Sequence, residues 1–178
     1  MVLKVLGSSS HGNSYILEND REALLLEAGV RFASVKQALD YNITKVVGCL
    51  ITHEHKDHAG YINEVLKATV PVYASAGTIE NTPIEGPRRA NVCKAGTLFT
   101  LGGFRIIPFG TKHDLSYDHC VQALQANDIK GVNNIVLIHL SDGNSNAEQF
   151  RAGVRAATGK TVHIAEAGLI INFDKTPF

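Results

Sequence analysis

The sequence predicts an α/β or α+β fold in a single domain covering residues 1–178, and three observations support this. Apolar residues make up 44% of the 178 residues, which is ordinary for a globular chain and sufficient for a sizeable core. Short extended runs fill the first third of the chain, and helical and extended patterns alternate after it. We find no internal repeat, low-complexity segment or interdomain linker.

The first part of the chain is predicted to consist mainly of strands. Apolar residues at helical spacing, such as Phe32, Val35 and Leu39, predict helices over about 31–40 and about 58–68. Residues 75–92 are predicted to form a loop with one short helix. The predicted strands are 2–6, 14–18, 23–26, 46–51 and 71–74, followed by a hairpin of 98–101 with 104–108 about Gly102-Gly103.

The second part alternates helices and strands. A helix is predicted over 117–126, and the apolar run 134–140 predicts a strand buried on both faces. Ser145 and Glu148 have the spacing of a capping box, which predicts a helix from there to about residue 157, ended by Gly159. Strands are predicted over 161–165 and 169–173.

A cluster of metal-binding side chains follows directly after the apolar run 46–51. Side chains alternate along an extended segment, so His53 and His55 point to the same side. Asp57 and His58 come next, where a turn can fold them back toward that pair. Imidazole nitrogen and carboxylate oxygen suit zinc, iron, nickel or manganese. The alternative is a polar loop in which Asp57 caps a helix, but four ligand groups this close together favour a metal.

The pattern His53-x-His55-x-Asp57-His58 resembles the H-x-H-x-D-H signature of the metallo-β-lactamase superfamily. The glycine- and serine-rich segment 7–14 is similar to a bacterial and phage branch of phosphodiesterases, nucleases and uncharacterised hydrolases. The resemblance runs through residues 1–114. It implies an αββα sandwich of two mixed sheets with helices outside, with metal at one edge between the two halves.

The resemblance also implies which side chains bind metal. His113 follows the predicted hairpin, and His139 lies near the end of the strand 134–140. Alternatively, His113 is a solvated loop histidine and His139 a core histidine. Asp57 could also orient the nucleophile as a catalytic residue. The implied ligands are His53, His55 and His113 for one metal, and Asp57, His58 and His139 for the other.

The sequence departs from the family pattern between the last two histidines. Only 25 residues separate His113 from His139, as if a segment had been deleted between Asp114 and Leu115. The shortened second half lacks the family's bridging aspartate at a strand end, and no context selects a substitute among Asp114, Asp118, Asp128 and Asp142. One metal could therefore bind instead of two. We expect zinc, with manganese, iron or nickel as alternatives, and a homodimer that covers the sheet edge exposed by the deletion.

Composition and net charge restrict the class of substrate and the location of the protein. The net charge is zero and the basic residues are scattered, which predicts a small or short anionic substrate and no extended nucleic-acid surface. Three cysteines without a C-x-x-C motif, together with a short interrupted N-terminal apolar run, predict a cytoplasmic protein outside the membrane.

Three functions follow from these observations. The first is a metal-dependent hydrolase acting on a phosphodiester through a metal-bound hydroxide. The second is a non-catalytic metal-binding remnant or interaction module, which the missing bridging aspartate motivates. The third is a hydrolase of thioesters or lactones, which the same fold accommodates.

Overall fold

The computed structural model describes residues 1–86, 90–110, 117–140 and 146–173. The chain forms two compact units, Met1–Phe109 with Glu166–Phe178, and Gly110–Ala165. The expectation of a single domain stays a prediction. No helix in the described ranges combines the length and apolar character that crossing a membrane requires.

The first unit is built on a mixed seven-stranded sheet. Four strands lie next to each other as antiparallel neighbours, and the parallel part begins where the third strand of the chain meets the fourth. In chain order the strands are β1 (Val2–Ser9), β2 (Gly12–Glu18), β3 (Ala23–Leu26), β4 (Val46–Leu50), β5 (Val72–Ala74), β6 (Ala90–Val92) and, from the end of the chain, β11 (Ile170–Asn172). Their order in the sheet is β11-β1-β2-β3-β4-β5-β6.

Both faces of this sheet are covered at its central strand β3, which explains why that strand is so apolar. Leu25 of β3 belongs to the large core formed with the helices, and Leu24 belongs to a second core with the hairpin residues Leu101 and Phe104. The helices are α1 (Phe32–Ala38), α2 (Lys56–Ala59), α3 (Ile62–Lys67) and α4 (Ala76–Asn81), and the hairpin strands are β7 (Phe99–Leu101) and β8 (Phe104–Ile106).

The second unit is smaller and has a two-stranded parallel sheet. Its elements are α5 (Tyr117–Ala126), β9 (Asn134–Leu137), α6 (Ala147–Thr158) and β10 (Thr161–Ile164). Leu137, Val154 and Val162 form its buried core. Gly159 ends α6 with a left-handed backbone, as the sequence predicts.

The α/β class and most elements are confirmed, but several details differ. The described residues contain one mixed sheet and two two-stranded sheets, where two mixed sheets were expected. Strand β6 was not predicted, since proline and arginine dominate its neighbourhood. The predicted helix 58–68 is two helices, because Tyr61 N–H leaves the helical pattern to donate to Ala28 O.

Two further predictions fail in the second unit. The predicted strand 134–140 ends at Leu137, and its other residues are only half-buried because β9 pairs with a single strand in the described sheet. Asn146, whose side chain accepts from Gln149 N–H, caps α6, whereas Ser145 lies outside the described residues. The deletion after Asp114 also lies outside them, and both the deletion and the homodimer stay predictions.

Candidate metal centre

Four predicted ligands lie together just after β4, with His53 and His55 in the loop before α2 and Asp57 and His58 within α2. The ring centroids of His53 and His55 are 4.7 Å apart, and those of His53 and His58 are 3.9 Å apart. Asp57 Oδ2 lies 3.4 Å from His58 Nε2. The first turn of α2 therefore folds the last two residues back toward the histidine pair, as the spacing predicts.

The four side chains differ in their access to solvent. His58 is 4% exposed, whereas His55 is exposed and the Asp57 side chain is 21% exposed to solvent. The cluster therefore has a buried base at His58 and an open side at His55 and Asp57. Water and substrate can reach the two open ligands directly.

A buried carboxylate that the sequence analysis missed lies beneath the cluster. Glu27 is 2% exposed, and its Oε2 lies 3.5 Å from His58 Nδ1 and accepts from Thr52 N–H at 3.2 Å. Its φ of 63° is uncommon for a residue with a side chain, and such backbone conformations concentrate at functional sites. The available signal was an acidic residue placed directly after the apolar strand β3.

Asn13 is the second buried polar residue that the sequence analysis missed. It lies on β2 with no exposed surface, and its Nδ2 is 3.3 Å from Asp57 Oδ2 and 3.2 Å from His58 Nε2. Its Oδ1 accepts from the Tyr15 hydroxyl at 3.1 Å. The segment 7–14 is mostly paired strand, and its turn is confined to Ser10-His11.

Backbone contacts fix the base of the cluster to the sheet. Ala28 N–H donates to His58 O at 2.6 Å, and Gly29 N–H donates to Asn13 O at 2.8 Å. A Cβ atom on Gly29 would lie 1.8 Å from Asp57 O, which is far inside contact distance. The glycine is therefore required where three chain segments meet.

Burial lowers the pKa of His53, and the neighbouring His58 lowers it further, while Glu27 acts in the opposite direction. His53 is therefore neutral at neutral pH, which is the form that binds metal. Its Nδ1 lies 2.9 Å from the Thr52 hydroxyl, which leaves Nε2 as the available ligand atom. Cys49, fully buried in β4, has a pKa raised by burial and is a core residue.

The remaining predicted ligands are His113 and His139. His113, with Asp114, lies outside the described residues. His139 belongs to the second unit, where it follows β9, is half-buried and has a left-handed φ of 51°. Of the suggested replacements for the bridging aspartate, Asp118 and Asp128 are exposed in the second unit, and Asp142 is not described.

The residues of the first unit fit a metal ion. Neutral imidazoles and a carboxylate are ordinary ligands for a divalent transition metal, and they approach one another here without a competing lysine or arginine in the contacts described above. The buried Glu27 behind His58 matches the carboxylate that commonly orients a ligand histidine. A cation would also balance the negative charge of Glu27 and Asp57.

The chain belongs to the metallo-beta-lactamase superfamily. The family model matches residues 9–108, more than half of the chain, and the matched range contains the four clustered ligands. The superfamily is metal-dependent, in agreement with the donor set.

Curated relatives are similar over a little under two thirds of the chain. Exodeoxyribonuclease YycJ from Bacillus anthracis is 34% identical over 122 residues, and exodeoxyribonuclease WalJ from Streptococcus pneumoniae is 30% identical over 120 residues. Each match covers 62% of this chain and 45% of the relative. The chain thus matches about half the length of these relatives.

Solved structures share the fold over nearly the whole chain. The metallo-beta-lactamase fold protein YhfI from Bacillus subtilis has a TM-score of 0.66 at 15% identity, covering 96% of this chain and 99% of that one. Human tRNase Z, short form, has a TM-score of 0.56 at 12% identity, covering 97% of this chain and 99% of that one. At these identities the likeness establishes the fold alone, and it confirms the predicted fold class.

Proposed function

We propose that this protein is a metal-dependent hydrolase that cleaves phosphodiester bonds. The observation that carries the proposal is the contact among His53, His55, Asp57 and His58 at the end of β4. The names of the exodeoxyribonuclease relatives support the choice of a phosphodiester, in DNA, as the bond that is cleaved.

Zinc is the metal that we propose, because imidazole dominates the ligand set. Manganese, iron and nickel remain the alternatives, and either one or two ions would bind. A bound divalent cation supplies a water of lowered pKa and offsets the charge on the phosphoryl oxygens. The proposed ligands are His53, His55 and His113 for one ion and Asp57, His58 and His139 for the other.

Asp57 is the proposed catalytic residue. Its side chain is partly open to solvent, while its neighbour His58 is held in the buried base of the cluster. From this position the carboxylate can accept a hydrogen bond from the attacking water and orient its lone pair toward phosphorus. His58, fixed by its contacts with Glu27 and Asn13, keeps the neighbouring ligand atoms in place.

The proposed substrate is a short anionic segment, such as the end of a DNA strand. The chain has no net charge, so it lacks the excess of lysine and arginine that long nucleic-acid grooves use to neutralise phosphates. A strand end presents few phosphates, and charge within the metal centre is sufficient to bind them.

The test begins with elemental analysis of protein purified without chelators, followed by hydrolysis of bis(p-nitrophenyl) phosphate and of short end-labelled DNA. We expect bound metal, turnover that chelator abolishes, and recovery on adding zinc or manganese. Asp57→Asn lowers the turnover rate by about 10²–10⁴-fold, and His55→Ala loses both metal and activity. Turnover that is equally fast in metal-free protein would refute the proposal.

Two histidine substitutions serve as matched controls. His11 is exposed in the turn between β1 and β2, and His163 contacts Asn134 within the second unit. His11→Ala and His163→Ala should retain both metal and activity. His139→Ala distinguishes the two proposed metal sites, because this variant should lose only the metal that Asp57 and His58 bind.

Other outcomes distinguish the remaining candidate functions. Metal-dependent turnover of a thioester or lactone, without phosphodiester cleavage, would favour the third function predicted from the sequence. Bound metal without turnover of any of these substrates would favour a non-catalytic binding module. The absence of a bridging aspartate element between His113 and His139 is the sequence feature that favours this module.

A further inference from the structure

Asn13 Nδ2 lies against more acceptors than it has hydrogens. It is 3.0 Å from Ser9 O, 3.2 Å from Asp57 O, 3.3 Å from Asp57 Oδ2 and 3.2 Å from His58 Nε2. An amide nitrogen carries two hydrogens, so these four atoms compete for two hydrogen bonds. Two of the four are main-chain carbonyls, and the other two are proposed metal ligands.

The orientation of the Asn13 amide is set from its other end. Its Oδ1 accepts from the Tyr15 hydroxyl at 3.1 Å, and that hydroxyl lies 3.0 Å from Ser8 Oγ. The reversed amide would place Oδ1 against the four acceptors, which is electrostatically unfavourable in a fully buried location. Asn13 and Tyr15 share a face of β2 because they are two residues apart, so the arrangement follows from the strand itself.

We infer that Asn13 is a positioning residue that holds two of the proposed metal ligands in place when no metal is bound. In the metal-free protein its amide holds Asp57 Oδ2 and His58 Nε2 at the separation seen here. With a cation bound at these two atoms, both amide hydrogens would be donated to Ser9 O and Asp57 O. No buried donor then loses its partner, so metal binding carries no desolvation cost at Asn13. This inference rests on the proposed metal site at Asp57 and His58.

The same contact selects one form of the His58 ring. An amide nitrogen only donates, so an Asn13 hydrogen bond to His58 Nε2 requires the neutral ring to carry its proton on Nδ1. Asp57 Oδ2, 3.4 Å from Nε2, favours the opposite form, and the shorter Asn13 contact at 3.2 Å opposes it. Nδ1 faces Glu27 Oε2 at 3.5 Å, where a carboxylate favours an N–H. The ring is therefore held, before any metal arrives, with the lone pair of Nε2 directed into the site.

The first test needs no metal. Long-range ¹H–¹⁵N spectra of chelator-treated protein, recorded where the ring is neutral, should show His58 protonated on Nδ1 and unprotonated on Nε2. Tyr15→Phe keeps the buried ring but removes the hydroxyl, and it should add a detectable fraction of the Nε2-protonated form. A wild-type His58 protonated on Nε2 would overturn the inference, and so would spectra unchanged by both Tyr15→Phe and Asn13→Ala.

The second test measures zinc affinity by competition with a chromophoric chelator. Asn13→Ala should weaken binding by about 10–100-fold, the usual effect of losing a group that orients a ligand. Tyr15→Phe should weaken it by about 2- to 10-fold, the equivalent of one hydrogen bond. Tyr73→Phe is the matched control, since Tyr73 stacks on Phe99 near the hairpin, and it should leave the affinity unchanged.

The outcomes separate this inference from the proposed function. If wild-type protein binds none of zinc, manganese, iron and nickel, the proposed function fails, while the spectra of metal-free protein still decide the role of Asn13. If wild-type protein binds zinc and both variants bind it equally well, the inference fails and the proposed function stands. Thermal unfolding of each variant checks that a loss of affinity does not reflect a loss of folding.

Discussion

The two compact units differ in the core beneath their proposed ligands. In the first unit, His58 lies next to a buried cluster that spans β3, β4, β5 and the helices packed on them. In the second unit, His139 follows a strand whose buried core consists of Leu137, Val154 and Val162. Positional precision in a metal site comes from packed side chains around each ligand. The first unit can supply that precision by itself, and the second has less packing with which to do so.

The origin of the difference is the number of neighbours that each strand has. β3 is paired on both sides and covered on both faces, so Leu25 is 1% exposed. Among the described residues β9 pairs with β10 alone, and three of its four residues are half-buried. We therefore expect a change in the first unit to cost more stability than the same change in the second.

The largest expected effect comes from shortening one leucine in each unit. Leu25→Ala leaves a cavity between β3 and the helices packed on it and should lower the free energy of unfolding by about 2–5 kcal/mol. Leu137→Ala should lower it by about 2 kcal/mol or less, because the surroundings of Leu137 can relax. Urea unfolding followed by circular dichroism measures both. Equal costs would show that the second unit is as tightly packed as the first.

A smaller effect is expected at Glu18, which joins β1, β2 and the start of β4 through two lysines. Its carboxylate lies 2.6 Å from Lys4 Nζ and 3.2 Å from Lys45 Nζ. Burial acts to raise the pKa of Glu18, but the two lysines outweigh burial and hold that pKa below its usual value. The folded state therefore binds fewer protons here than the unfolded state, and the contribution to stability is lost as pH falls.

Glu18→Gln should accordingly reduce the free energy of unfolding by about 1 kcal/mol at pH 7. The difference from wild type should shrink as the pH falls from about 5 to 3, because the wild-type carboxyl then becomes protonated. Glu85→Gln is the matched control, since the Lys67–Glu85 pair is largely exposed, and it should leave stability unchanged. A difference that does not vary with pH would contradict this account.

The smallest effects are expected at two glycines, with opposite signs. Gly159 has a φ of +68° at the end of α6, so Gly159→Ala should destabilise the second unit by about 1 kcal/mol. Gly77 lies within α4 with open space where a Cβ would be, so Gly77→Ala should stabilise the first unit by about 0.5–1 kcal/mol. Thermal unfolding of both variants tests the sign of each change in stability. Two changes of the same sign would contradict the backbone conformation described for one of the two glycines.

The clustering of the predicted ligands just after β4 was predictable because it depends on short-range geometry. Alternation sets the relation of His53 to His55, and one turn of helix returns His58 to the pair. Gly159 as the end of α6 was predictable for the same reason. In each case the determining residues lie within six positions of one another.

Asn13 and Glu27 were not predictable in the same way because their partners are distant in sequence. Asn13 meets Asp57 and His58 only after β2, β3 and β4 have paired, and no local pattern encodes that meeting. The burial of β9 was overestimated for a related reason. An apolar run predicts a buried strand, but the number of neighbouring strands, which determines burial, is not contained in the run.

The close approach at Gly29 has a consequence for genetics. Ala28 and Gly29 hold β2 and α2 together through main-chain hydrogen bonds, and any side chain at Gly29 would collide with Asp57 O. A missense change at Gly29 would separate these segments while leaving every proposed ligand in the sequence. Such an allele would retain the histidines and the aspartate of the superfamily signature, but it would lose the arrangement that brings these side chains together. A survey of natural variants that inspects only the histidines and the aspartate would classify it as intact.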